Sequence, residues 1–276
     1  MTNNKTKGIF FIILSAFFFA LMNLFVRLSG DLPPMQKSFF RNLVALVFAV
    51  IVLLRTEEKF QFNRKNLPQL IARATFGTLG ILCNYYAIDH LVLSDASMLN
   101  KLSPFFAILV SYFYLKEKVT PVQISAVIIA FLGALCIIKP GFSSMNSFPA
   151  LIGALGGLGA GTAYTMVRKL SLNGERGPFI VFFFSAFSCL FCLPYLIFAY
   201  HPMTLQQLGF LFALSIPYAN APAREISVFD YSQIIFAALF GFLFLQQIPD
   251  TLSVVGYLII CGTSVAMFFY NQKHTS

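Results

Sequence analysis

Residues 94 to 118 read "SDASMLNKLSPFFAILVSYFYLKEK", a polar start with one lysine running into an apolar stretch long enough to bury in lipid. Set against the chain itself at an offset of 130, this stretch lies over "REISVFDYSQIIFAALFGFLFLQQI" at 224 to 248. Asp95 falls on Glu225, Ser97 on Ser227, Asn100 on Asp230, and the pair Phe106 and Ala107 on Phe236 and Ala237. Further upstream "NLFVRL" (23 to 28) resembles "YTMVRK" (164 to 169), so the similarity extends beyond one helix.

The solvent for these segments follows from composition. Of 276 residues, 58% are hydrophobic, 11% are charged and 34 are Phe. A soluble domain carries about 25% charged residues, so this chain lacks the polar groups to cover a water-facing surface. A bilayer core of about 30 Å takes about 20 mostly apolar residues per helix. Ten such spans are predicted, at 8 to 28, 36 to 54, 67 to 88, 94 to 115, 121 to 138, 148 to 167, 178 to 199, 205 to 221, 225 to 246 and 251 to 270. Runs such as "LVALVFAVIVLL" (43 to 54) are apolar on every face, which excludes the alternation of a lipid-facing β-barrel. The first span follows Lys5 and Lys7 but lacks a small-residue cleavage site, so it reads as a retained helix and not a secretory signal.

Ten spans divide into two repeats of five, 1 to 140 and 141 to 276. Because five is odd, the second repeat enters the membrane from the opposite side. The charges agree with that reading. Lys5, Lys7, Arg55, Lys59, Arg64, Lys65, Lys116, Lys118, Arg168, Lys169, Arg176, Arg224 and Lys273 gather on one side, and Arg27, Lys37 and Lys139 on the other. The positive-inside rule then puts both termini in the cytoplasm, in the cell membrane, and accounts for the net charge of +9 without nucleic acid. The expected fold is an all-α integral membrane protein of ten transmembrane helices arranged as two inverted five-helix repeats, the recurring plan of secondary transporters.

The stretch "LSPFFAILVSYFYLKEKVTPVQISAVIIAFLGALCII" (102 to 138) resembles the end of an EamA domain, and "FFRNLVAL" (39 to 46) resembles its second helix. The whole chain is similar to ten-helix, two-EamA-domain members of the drug/metabolite transporter superfamily. The resemblance implies a carrier, usually an exporter of amino acids, other small metabolites or drugs. It also implies a full-length eighth helix. Here Thr204 to Glu225 spans 21 positions where Asn66 to Asp95 spans 29, so the eighth span, "LGFLFALSIPYANA" with Pro217, is about two turns short.

Functional candidates are polar residues inside these spans. At 100° per residue, Ser94, Ser97, Asn100, Lys101 and Pro104 share one face of the fourth span, and Arg224, Ser227, Asp230 and Tyr231 form the matching stripe of the ninth. A charge at the bilayer centre costs about 2.5 to 3.5 kcal/mol, so Lys101 either snorkels to the headgroups, forms a structural ion pair, or faces a cavity and holds a substrate carboxylate. Asp230 is either a proton-coupling carboxylate or half of an ion pair with a neighbouring helix's arginine. Asn23, Arg41, Asn42, Asn84, Tyr85, Tyr86 and Tyr164 complete the expected substrate-binding set; the tyrosines read as interfacial belt or pocket residues. Gly153, Gly157 and Gly161 read as a close-packing face, with flexing as the sharper alternative. Pro104, Pro140, Pro194 and Pro217 are placed as kinks or span ends.

The function expected is secondary-active export of a small organic substrate by alternating access, with protons as possible coupling ions and the lipid bilayer as the other partner. A passive small-solute channel is the alternative, although no rings of charge or filter motif occur. A small multidrug antiporter would carry a carboxylate in the first helix, and residues 8 to 28 have none. A membrane-embedded enzyme would need paired catalytic groups, and His90, His201 and His274 all lie near loops or a terminus. No cofactor or metal is expected, and Cys189 and Cys192, though spaced as CxxC, sit in "FSCLFCLPYL" as packing residues.

Overall fold

The computed structural model describes residues 2–140, 144–213 and 228–274. It is built of helices: α1 (Thr2–Leu28), α2 (Pro34–Leu54), α3 (Leu67–His90), α4 (Leu93–Asn100), α5 (Ser103–Val110), α6 (Pro121–Ile138), α7 (Ser144–Leu172), α8 (Gly177–Phe198), α9 (Leu205–Ala213), α10 (Ser232–Leu245) and α11 (Thr251–His274). Six segments are long and apolar enough to cross a bilayer, including Leu93–Leu115 and Gly177–Phe198; Ile12–Leu28 and Ser232–Leu245 are shorter apolar helices. Ten spans fit this order once α4 and α5 are counted as one. The expected short eighth span is described only over Leu205–Ala213, and Pro217 lies outside the described residues.

The fourth span departs from a single helix. α4 stops at Asn100 and α5 starts at Ser103, with a turn at Lys101 and Leu102. Pro104 is the reason: it has no N–H to give Asn100, and its ring would strike that carbonyl if the helix ran on. Restarting the helix puts Pro104 in the first turn of α5, where a missing N–H costs nothing. A single π-helical turn, Ser111–Leu115, ends the span.

Surface and interior are inverted relative to a water-soluble fold. Large apolar side chains such as Val47, Phe48, Ile128, Leu132, Phe242 and Leu243 point outward, while Asn23, Lys37, Asn42, Ser94 and Ser97 are buried. Lipid cannot drive helices together as water does, so close approach carries the packing. α3 lies along α7, α2 along α8, α6 along α11 and α1 along α10. Small residues permit the tightest of these crossings. A Cβ on Gly159 would stand 2.8 Å from Gly80 Cα, and one on Gly256 would stand 2.6 Å from the Gly133 carbonyl oxygen. The expected face of Gly153, Gly157 and Gly161 packs as well: a Cβ on Gly157 would lie 2.7 Å from the Leu99 carbonyl oxygen, and one on Gly161 2.5 Å from that of Ser103.

Polar ties gather at both ends of the bundle. At the Asp95 end, Arg27 on α1 donates to the Ile88 carbonyl (2.8 Å), Gln247 accepts from Leu93 N (3.0 Å), and Lys139 pairs with Asp250. At the Glu175 end, Glu175 accepts from Asn66 Nδ2 (3.0 Å), Arg168 pairs with Glu117 (3.0 Å) and Arg176 with Glu58 (3.0 Å). These ties fix chain direction. α1 finishes at the Asp95 end, whereas α7 starts there, its Ser147 donating to the Lys139 carbonyl, and finishes at the Glu175 end.

Backbone details recur 130 residues apart. Lys116 (φ 56, ψ 31) and Gln246 (φ 54, ψ 31) both close their helices in the left-handed region. The next amides bond back in the same way, Glu117 N to Ser111 O and Gln247 N to Gly241 O. Thr120 caps the start of α6 by accepting from Gln123 N, and Asp250 does the same for α11 by accepting from Ser253 N. The break before α5 is matched by a 3-10 turn, Val228–Tyr231, before α10.

Candidate functional site

The seam expected on the fourth span is buried and bonded. Ser94, Ser97 and Lys101 lie at i, i+3 and i+7, one face of α4 and the turn that ends it, and all are 9% exposed or less. Each meets a different element. Asn23 Nδ2 of α1 donates to Ser97 Oγ at 3.1 Å. Tyr257 of α11 donates its hydroxyl toward Ser94 Oγ (3.0 Å) and Asp95 Oδ1. The Lys101 ammonium pairs with Asp230 of the 3-10 turn, and Tyr231 donates its hydroxyl to the Lys101 carbonyl at 3.1 Å.

That last bond explains how a broken helix survives in an apolar bundle. The turn at Lys101 and Leu102 frees backbone carbonyls, which cost several kcal/mol each if left unsatisfied away from water. Tyr231 meets one of them, so the 3-10 turn before α10 faces the break in the fourth span and satisfies part of it. Lys101 lies eight residues beyond Leu93, about 12 Å into the bundle at 1.5 Å per residue. Its ammonium turns to Asp230, not to the Asp95 end. Of the readings open for Lys101, the side chain takes the ion pair; for Asp230 the partner is this lysine and not an arginine.

The remaining expected residues are distributed around this centre. Asn42 is fully buried on α2 and donates within its own helix, to Ser38 O (2.8 Å) and Ser38 Oγ (3.2 Å). Arg41, beside it, is also buried. Asn84 and Tyr85 are buried on α3, where the Asn84 backbone lies close against Gly156 of α7. Tyr86 stacks on His90 at 4.1 Å near the Asp95 end, beside a cavity lined by Arg27, Asp31 and Asp89. Asn100 is half-buried, Tyr164 is half-exposed at 49%, and Ser227 lies outside the described residues. Asn23, Ser97, Lys101, Asp230 and Tyr231 are therefore the part of the expected set that bonding joins together.

Three contributors escaped the sequence reading. Tyr257 sits mid-span in an apolar run, the same signal that singled out Tyr85. Lys37 has no exposed surface; it binds Asp89 Oδ1 (2.7 Å) and Oδ2 (2.9 Å) and the Val26 carbonyl (3.1 Å). Arg73 stands 4.1 Å over the Phe184 ring, a cation–π contact between α3 and α8.

Outside the spans, Asp250 is the titratable group with a perturbed carboxyl. Partial burial pushes it upward most, but the Lys139 ammonium and the Ser253 N–H together outweigh that and hold it below the usual carboxylate range. Among the described residues, no three His, Cys, Asp or Glu side chains group as metal ligands, and Cys189 and Cys192 are free thiols.

Similarity to known proteins agrees with this architecture. Residues 6–139 match the EamA-like transporter family. The chain is 32% identical to the pseudopaline exporter CntI of Pseudomonas aeruginosa over 274 residues, 95% of each protein. It is 23% identical to human solute carrier family 35 member G1 over 287 residues, covering 94% of this chain and 78% of that one. A solved structure with 13% identity superposes with a TM-score of 0.65 over 94% of this chain and 96% of the other, which supports the fold. The chain is a membrane transporter rather than an enzyme, and it belongs to the EamA-like transporter family of the drug/metabolite transporter superfamily.

Proposed function

We propose that the chain is a secondary-active exporter of a small organic metabolite, working by alternating access in the cell membrane with both termini in the cytoplasm. The observation that carries this is the buried seam on α4, whose Ser94, Ser97 and Lys101 bond to α1, α11 and the turn before α10 across an otherwise apolar bundle. Polar groups kept there at a desolvation cost suit a solute pathway.

The mechanism rests on two inverted repeats, 1 to 140 and 141 to 276. Several observations support them. The αL closures at Lys116 and Gln246 and the caps at Thr120 and Asp250 recur in register, and a 3-10 turn precedes α10 where the break precedes α5. α1 and α7 run in opposite directions. Exchanging the two halves maps α2 with α8, and α6 with α11, onto themselves, and turns the α1 and α10 contact into that of α4 and α5 with α7. A pairing scheme closed under such an exchange is what rocking about a central site requires. The outward direction is favoured by the 32% identical relative being an exporter.

The test is counterflow in liposomes. Purified protein is offered pseudopaline, amino acids and amphipathic amines, with and without a pH gradient. Saturable exchange of at least one compound supports the carrier, and stimulation by the gradient supports Asp230 as a proton carrier. Non-saturable leak, or no flux of any compound, overturns it.

A further inference from the structure

We propose that Asp230 is an internal stand-in for a substrate carboxylate: Lys101 holds it in the conformation seen here, and a carboxylate-bearing solute takes over the ammonium on loading. This rests on the transporter reading above and names the substrate class of that site.

Asp230 is the partner that can leave. The Lys101 side chain is 11% exposed and the Asp230 side chain 27%. Lys101 is also fixed from behind, because its own N–H bonds Ser97 O at 3.2 Å at the end of α4. Asp230 sits on a 3-10 turn of four residues, Val228–Tyr231, a short element that rearranges at less cost than an α-helix interior. When the pair separates, the carboxylate therefore turns to the wetter side and the ammonium stays. A buried ammonium without a counter-charge is strongly disfavoured, so separation waits for another carboxylate.

A second point of contact lies one turn away. Ser97 precedes Lys101 by one helical turn, and Asn23, which donates to Ser97, has a buried Oδ1 without a hydrogen-bond partner. Asn23 is 3% exposed, so water gives that acceptor little help. The site thus offers an ammonium and, on α1 against the preceding turn of α4, an unused carbonyl acceptor. The matching solute carries a carboxylate together with an N–H or O–H donor.

The pair also joins the two proposed repeats. Asp230 lies in the turn that leads into α10, and Lys101 closes α4. Exchange of one carboxylate for another removes the charged tie between α4 and the turn before α10 only when the solute is in place, which links loading to movement.

The experiment uses matched acid and amide probes in counterflow: leucine with leucinamide, and 4-aminobutyrate with 4-aminobutyramide. Wild-type protein should exchange at least one acid and discriminate against its amide. Asp230→Asn removes the competing carboxylate, and KM for the acid should fall roughly tenfold, with the amide unchanged. Lys101→Gln should abolish the preference for the acid. The exchange Lys101→Asp with Asp230→Lys keeps a charge pair for folding and should lose the acid preference too. Monodisperse size-exclusion profiles exclude misfolding, and where Asp230→Asn fails that control the exchanged pair decides. An unchanged or raised KM for the acid in folded Asp230→Asn, or an acid preference that survives the exchange, overturns the proposal. Exchange of amides but not acids by wild-type protein overturns the substrate class and leaves the carrier standing; no exchange of these or of the broader panel removes both.

Discussion

Gly161 is where the packing that holds the broken fourth span can be measured. A Cβ at this position would stand 2.5 Å from the Ser103 carbonyl oxygen, 2.8 Å from Phe106 Cβ and 2.9 Å from Ala107 N. Two of the three are backbone atoms of α5, so no rotamer change relieves them. Restoring ordinary contact requires α5 and α7 to separate by several tenths of an ångström. Overpacking of this kind costs about 1 to 3 kcal/mol, and the better helix propensity of alanine returns up to about 1. Gly161→Ala should therefore lose about 1 to 2 kcal/mol. Gly262 on α11 is the internal control, since a Cβ there meets nothing within 4 Å. Gly262→Ala should be neutral or gain up to about 1 kcal/mol. Thermal melts in dodecyl maltoside, followed by the monodisperse fraction on size exclusion, read both variants. If Gly161→Ala melts at or above Gly262→Ala, the close approach of α7 to the restart of the fourth span is wrong. Because Ser103 is the first residue of α5, the forced shift should also disturb the turn carrying Lys101, and transport should fall more than the loss of folded protein explains.

Two further predictions concern the charges at the Asp95 end. Lys37→Met leaves the half-buried Asp89 carboxylate, 18% exposed, without its ammonium and should cost about 3 kcal/mol, the low end for a buried pair, in the same melts, most of it recovered by adding Asp89→Leu, which removes the stranded charge. Asp250→Asn should cost no more than about 1 kcal/mol at neutral pH, because that side chain is 58% exposed and water screens its pairing with Lys139. Its carboxyl is held below the ordinary value, so its contribution is complete above that value and is lost as pH falls through the lowered one. Melts from pH 7 downward should show wild type and variant converging only below the usual carboxylate range near about pH 4, and convergence at higher pH would refute the pairing.

What the sequence revealed and what it hid divide by the range of the interaction. The break at Asn100 is local, a collision between Pro104 and a carbonyl four residues earlier, and Pro104 was already marked as a kink or span end. The seam of Ser94, Ser97 and Lys101 is local too, being a matter of angle around one helix. The proposed duplication is long-range, yet it has a signal in the sequence, because the two stretches 94 to 118 and 224 to 248 align on each other. Partners are different. Nothing in the 52 positions between Lys37 and Asp89 announces their pairing, and position alone assigned Lys37 to a membrane face, not to an interior. Asp230 could have met any nearby cation; only the packing of the turn before α10 against the end of α4 selects Lys101. Tyr164 and Tyr85 both lie well inside spans, but depth says nothing of azimuth, and one is half-exposed while the other is buried.

In the alternating-access cycle proposed above, opening of the Asp95 end is limited by a buried bond. Three ties cross there between α4 or α6 and α10 or α11: Tyr257 to Asp95 and Ser94, Gln247 to Leu93, and Lys139 to Asp250. Water replaces the last readily, since Asp250 is exposed. It replaces the first poorly, because Asp95 is 7% and Tyr257 9% exposed. A hydrogen bond to a charged group contributes about 1.5 to 3 kcal/mol, so Tyr257→Phe should raise the population open at this end roughly tenfold or more. The reporter is Leu91→Cys, buried between α3 and α4, in protein whose Cys83, Cys136, Cys189, Cys192 and Cys261 are replaced by alanine. Its labelling by a charged maleimide should accelerate in the Tyr257→Phe background. Leu70→Cys, near the other end of α3, should not accelerate with it, because alternating access opens one end at the expense of the other. Equal acceleration at both positions would mean that Tyr257 only holds the bundle together, and an unchanged rate at Leu91→Cys would mean that its bond to Asp95 does not gate this end.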